Sequence, residues 1–334
     1  MKLLLIFLLL WNQTFLPAFA VSDDDVNFTP LKWTEHRPAA YQAQALLADV
    51  PQGRPVLNPV SNDLWTVGTN YAWKWQVGDG SVSRVELPSG RASHFRFLKF
   101  MGSFLLGLDE KNFWALDVER KIWRRISQGF RGSLSKKAMA VSLIEGSTEK
   151  LYFLNEGVLY IFSEKNDALT ESHIELPPTM SGQSFISVTA FQNNSILFAD
   201  NRELKRLALA GDRFRVESVY VAKSQILGVG GWLDRVFIWT PQALVILGQD
   251  MSRQQVVPVV GGSKITAFGL SGDLHVVLFS DGTIELMSMT SRKKWATRIK
   301  DYEAQFVDFT KDGEFVVLSS EKRVPRVFNV TSFR

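Results

Sequence analysis

Seven short apolar runs recur along the 334-residue chain at nearly constant spacing, and that period limits the architecture more than any other feature. The runs begin at Leu64, Leu105, Leu151, Ile196, Val236, Val276 and Val316, so successive starts lie 41, 46, 45, 40, 40 and 40 residues apart. Each run has the length and the β-branched and aromatic content of a strand, and a polar turn follows it. Seven copies at about 40 residues match the blade period of a β-propeller. The expected fold is therefore all-β, a seven-bladed propeller of four-stranded antiparallel blades. A β-sandwich pair would give no reason for so even a spacing.

The sixth unit displays the grammar of a blade. Residues 265–268 form an inner strand, Ser271-Gly272-Asp273 a turn, and 275–279 the second strand. Asp281-Gly282 is a two-residue hairpin signal, because both residues tolerate positive φ; 284–289 and 295–299 then supply the third and fourth strands. The last unit has only three, at 306–309, 315–319 and 326–330. A strand from the other terminus would complete it and remove an open sheet edge. Residues 28–33 or 44–50 are the expected donors, with a helix over 39–47 as the alternative use of that Ala-, Gln- and Leu-rich stretch. The two longest periods are expected to hold projecting loops at 127–138, 145–150 and 164–170, where scaffold folds concentrate binding residues.

The first twenty residues read as a targeting segment rather than as fold. Lys2 precedes a short apolar stretch, and Pro17-Ala18-Phe19-Ala20 offers a cleavage site before Val21. That stretch is too short to span a bilayer, and no later segment is apolar enough to do so. Cleavage would leave 314 residues, divided into an N-terminal segment at 21–55 with the closing strand and a propeller at 56–334. Too little chain precedes Leu57 for an eighth blade. The chain has no cysteine, which removes thiol chemistry, disulfide staples and lipid attachment at the cleavage site. The expected location is the periplasm or the cell exterior.

One blade carries the phrase Phe113-Trp114-Ala115-Leu116-Asp117-Val118-Glu119-Arg120-Lys121-Ile122-Trp123, which resembles the repeat of the quinoprotein-like propellers. Residues 285–295 echo it, with Trp295 matching Trp123. The chain departs from that repeat at the turn glycine, where Arg120 or Lys121 stands. The resemblance implies an exported bacterial propeller. Enzymes of that superfamily carry a quinone, calcium and often a vicinal disulfide on eight blades, and this chain lacks the cysteines and the eighth unit, so no function is carried over residue by residue.

No catalytic constellation accompanies the repeat. The four histidines, His36, His94, His173 and His275, form no local ligand pair; His275 reads as a core residue and His94 as the one to inspect for a channel role. There is no nucleophile elbow, and Gly228-Val229-Gly230-Gly231 lacks the lysine of a phosphate loop and reads as a turn between strands. Asp109, Glu110, Asp200, Glu203, Asp281 and Glu321 fall between second and third strands, on one propeller face. They could bind a cation or act as a carboxylate pair, but Asp in such turns ordinarily caps its own backbone. The formal charge of +4 is too small and too mixed to imply a nucleic-acid partner.

What remains is interaction chemistry, with no cofactor or metal expected. Phe130 and Arg131, with Lys136 and Lys137, lie in a loop between blades, and an aromatic flanked by cations suits a protein contact. Trp232 is a second candidate anchor on the opposite face. The expected function is a scaffold binding another envelope or secreted protein. A glycan- or peptide-acting lyase or hydrolase at the channel, and a small-ligand sensor, are the alternatives.

Overall fold

The computed structural model describes residues 29–30, 34–36 and most of 52–330; the segments outside it include 1–28, 37–51, 89–94, 129–138, 177–184 and 259–263. All regular structure among the described residues is β-strand, arranged in seven sheets. In the first six blades four consecutive strands pair antiparallel in chain order, as in blade 1 with Gln52–Leu57, Leu64–Val67, Tyr71–Trp75 and Val82–Glu86. First strands of neighbouring blades touch, such as Ser187–Phe191 of blade 4 and Gly228–Trp232 of blade 5, and so form the inner ring. Gln52–Leu57 begins ahead of the boundary expected at residue 56.

Each of the seven apolar runs is the second strand of a blade. That strand has sheet on both sides and a neighbouring blade against each face, so it reads as a continuous apolar run rather than an alternating one. Phe104–Leu108 and Ser195–Ala199 are buried along their whole length, whereas the outer strand Val82–Glu86 has no fully buried residue. The buried side chains divide into seven clusters, one per blade interface. Blades 1 and 7, for example, share Leu64, Trp75, Val77, Phe315, Val317 and Val327. Each such side chain contributes about 1.5–3 kcal/mol by leaving water.

The ring closes at the N-terminus, as expected in kind but not in place. The strand β2 (Thr34–His36) pairs antiparallel with Arg323–Asn329 and becomes the fourth strand of blade 7. The preceding strand β1 (Thr29–Pro30), which lies within the expected donor segment 28–33, instead pairs parallel with Lys294–Arg298 and gives blade 6 a fifth strand. The other donor, 44–50, and the alternative helix at 39–47 lie outside the described residues. A bidentate pair locks the closure: Arg326 Nε and Nη2 donate to Glu35 Oε1 and Oε2 at 2.7 and 2.8 Å. Both side chains are half-buried, so the pair is stronger than an exposed one. Glu35→Gln is expected to lower stability by about 1–2 kcal/mol, read as a lower urea midpoint with faster proteolysis of the N-terminal segment.

Two loop expectations are corrected. Residues 145–150 and 164–170 are largely strand rather than loop: they extend the hairpins of blade 3, where Glu145 pairs Thr148 and Lys165 pairs Ala168. Cross-strand pairing continues as far as these residues, and 146–147 and 166–167 lie outside the described residues. Gly228-Val229-Gly230-Gly231 is likewise not a turn but the inner strand of blade 5, ending at Trp232 opposite Arg235. Glycine serves there for close approach: a Cβ on Gly231 would stand 2.6 Å from the Ala190 carbonyl oxygen of blade 4. The two inner strands are also stitched by side chains, since Val229 N donates to Ser187 Oγ and Gly231 N to Thr189 Oγ1.

Candidate functional site

The turns between second and third strands gather on one face, and their carboxylates are engaged in holding those turns. Asp109 accepts from Asn112 N at 2.7 Å and from Trp114 Nε1 at 2.8 Å. Asp200 accepts from Arg202 N and Glu203 N, and Asp281 from Thr283 N. Lys205, nearly buried, stands 3.4 Å from Glu203 and 4.0 Å from Asp200. Glu110 and Glu321 lie outside the described residues. Among the described residues no three His, Asp or Glu side chains stand together as a metal-binding group. No helix of the described residues is long and apolar enough to cross a membrane.

Phe130, Arg131, Lys136 and Lys137 fall in 129–138, between the outer strand of blade 2 and the inner strand of blade 3, outside the described residues. Trp232 ends the inner strand of blade 5, at the face opposite the capped turns. His94 is also outside the described residues. His36 lies in the closing strand opposite Val327, and the His173 ring is 6.1 Å from that of Tyr160. His275 is in the core, 1% exposed, and neither ring nitrogen has a hydrogen-bond partner. Burial depresses its pKa to about 4, against a weaker upward pull from Asp273.

A charged group on the inner ring had no local sequence signal. Arg54 of blade 1 contacts Asp308 of blade 7 at 2.5 Å and lies over the Phe306 ring. Lys99, half-buried on the inner strand of blade 2, is within electrostatic reach of Arg54, of Asp308 and of Glu149 in blade 3. Desolvation and then Arg54 lower the ammonium pKa, while Glu149 and Asp308 oppose the shift. Glu149 Oε2 accepts from Gly102 N at 3.1 Å, on the turn following the Lys99 strand.

The turn of the blade-2 phrase is built without glycine. Asp117 accepts from Glu119 N and Arg120 N, and Lys121 adopts φ +58°, the left-handed conformation that a turn glycine would supply. Trp123 Nε1 donates to the Glu86 carbonyl oxygen of blade 1 at 2.8 Å, so the repeat tryptophan ties adjacent blades.

No protein-family model matches the chain, and no curated protein sequence matches it. Solved structures do. A chain in the crystal structure of the mitotic checkpoint complex aligns with 12% identity over 95% of this chain and 99% of that one, with a TM-score of 0.60. The C-terminal WD40 domain of Sif2 aligns with 10% identity over 90% of this chain and 99% of that domain, with a TM-score of 0.61. At these identities the likeness is one of fold, and the fold is that of a WD40-like seven-bladed β-propeller.

Proposed function

We propose that the protein is a non-catalytic interaction scaffold that presents a propeller face to another protein. The observation that carries this reading is the use of the turn-face carboxylates: Asp109, Asp200 and Asp281 hold their own backbones, so that face offers shape and loops rather than an acid–base array. Gln128 and Met139, which bracket residues 129–138, stand at that face by strand order, and Phe130 and Arg131 are the proposed contact chemistry of the intervening segment. One solved structure of similar fold is that of the mitotic checkpoint complex.

In the finer form of the proposal the protein is a bacterial propeller of the quinoprotein-like group. It is exported with residues 1–20 removed, and serves an assembly, export or surface machine of the envelope. The amino-terminal pattern around Ala20 and the blade-2 phrase support it. Crosslinked pull-down from the native envelope tests the proposal, with Phe130→Ala, Arg131→Ala and Trp232→Ala as comparators. One discrete partner is expected, retained by the parent chain and lost in at least one variant, together with a mature terminus at Val21. Recovery of the monomer alone would count against the scaffold and favour a glycan- or peptide-acting site at the channel.

A further inference from the structure

We infer that the outer edge of blade 5, Gln254–Pro258, is a self-association surface, on which a second copy of this chain adds its own Gln254–Pro258 strand antiparallel. The edges of blades 6 and 7 are covered from within, by Thr29–Pro30 and Thr34–His36. The outermost strands of blades 1 to 4 all carry charge, with Arg84, Arg124, Glu171 and Glu217 among their residues. Charge on an edge strand opposes its pairing with another chain. Blade 5 has neither protection: no further strand of the described residues lies beyond Gln254–Pro258, and that strand contains no charged residue. Val256, at its centre, is 47% exposed, one of the few large apolar side chains among the described residues left in water.

The backbone fixes the register. Ala243 turns both its N–H and its carbonyl oxygen to Thr240, toward the second strand, so its cross-strand partner Pro258 makes no ladder bond with it. In an antiparallel ladder that orientation alternates. Val256 and Gln254, opposite Val245 and Leu247, therefore point their N–H and C=O groups outward, whereas Gln255 and Val257 point theirs into the blade. The donor that proline lacks falls on the open side, where a sheet tolerates proline. With Val256 on a two-fold axis, each Val256 N–H donates to the other Val256 carbonyl oxygen, and each Gln254 N–H to the Pro258 carbonyl oxygen of the other copy. Pro258 on the axis would leave the central pair without a donor, so proline selects the Val256 register. The two exposed valines then become cross-strand neighbours on one face of a sheet continuous through both blades, and no charge within either strand opposes them. This match of the strand to itself makes the contact isologous and favours a second copy over an unrelated chain as the occupant.

A strand of 5 residues per copy makes a contact smaller than a standard protein interface, so the dimer is a weak one, with a Kd of about 10–100 µM. The surface is independent of the loop-face scaffold, and its test does not touch Phe130, Arg131 or Trp232. Sedimentation equilibrium of the purified chain over about 5–500 µM is expected to show a monomer–dimer equilibrium. Val256→Lys sets two ammonium groups at the axis and is expected to weaken self-association roughly tenfold or more, with Val256→Thr retaining it. Because the chain has no cysteine, single thiols report the register. Val256→Cys copies, with Cα atoms about 5.5 Å apart, should be joined by a short bifunctional thiosulfonate. Gln254→Cys copies, about 14 Å out of register along the strand, should not. A parent chain that stays monomeric overturns the inference and leaves the edge to an extended strand of another protein. Undiminished association by Val256→Lys, or equal crosslinking of the two cysteine variants, would overturn it as well. If Val256→Lys fails to fold, the cysteine variants decide.

Discussion

His275→Leu is expected to abolish most of the loss of stability that the parent chain suffers between pH 7.5 and 4.5. The imidazole is packed on the second strand of blade 6, its ring 4.7 Å from Phe237 and 6.1 Å from Trp239 of blade 5. Burial holds its folded pKa at about 4, below the ordinary imidazole value of 6.5. Asp273, whose carboxylate also accepts from Ser288 Oγ, is the one charged group raising it. Because the folded value is the depressed one, the unfolded chain binds more protons between about pH 6.5 and 4. Stability from this group is therefore complete above 6.5 and drains away as pH falls through 4. At 1.36 kcal/mol per unit the difference integrates to about 3 kcal/mol, about three quarters of it lost by pH 4.5. Urea midpoints at the two pH values measure it for both chains. Leucine also removes two nitrogens without hydrogen-bond partners, so the variant should be no less stable at pH 7.5. An identical acid loss in parent and variant would show that other groups carry the pH dependence.

The second large effect belongs to Gly228. A Cβ at that position would stand 2.0 Å from Phe268 Cζ and 2.5 Å from Cε1, closer than any real side chain tolerates. The ring cannot retreat toward blade 5, because it is stacked on Trp239 at 3.8 Å with 9° between the planes, and Trp239 is 1% exposed. Gly228→Ala is therefore expected to cost about 1–3 kcal/mol or more through forced repacking at the blade 5–6 interface. Gly78→Ala meets nothing within 4 Å and should change stability by less than about 0.5 kcal/mol. Adding Phe268→Leu to Gly228→Ala should recover part of the loss, because the two changes share one contact. Thermal denaturation of the four chains checks this, and equal midpoints for the two alanine variants would exclude the clash.

The parts of the fold that were legible in the sequence are those whose two faces are both buried. The second strands at Leu64–Val67 or Phe315–Ser320 are apolar throughout, so they stand out without an alignment. Outer strands such as Val82–Glu86 meet solvent and carry little pattern. The closing strand was misplaced within its segment because three residues, Thr34–His36, hold too little pattern to distinguish them from their neighbours. Thr29–Pro30 is shorter still, and its proline cannot donate to a ladder, which argues against a strand in any sequence reading. Gly228 and Gly231 suggested a turn because glycine usually marks one, whereas here the missing side chain admits an aromatic ring and a carbonyl. The turn carboxylates followed their ordinary chemistry. The Arg54–Asp308 pair could not be found by spacing, because only ring closure makes blades 1 and 7 neighbours.

The clasp between Glu35 and Arg326 joins positions 291 residues apart. A chain emerging from a ribosome or a translocation pore delivers Thr34–His36 at the start and their pairing partner, Arg323–Asn329, at the end. Blades 1 to 6 can stack in order of arrival, but the circle has no way to shut before the final strand is free. Until then the protein is an open horseshoe whose two raw ends, the faces of blades 1 and 7 that will share Trp75 and Val317, stay exposed. That interval is when the nascent molecule is most vulnerable to adhesion and proteolysis, and when an escort protein would have most to shield.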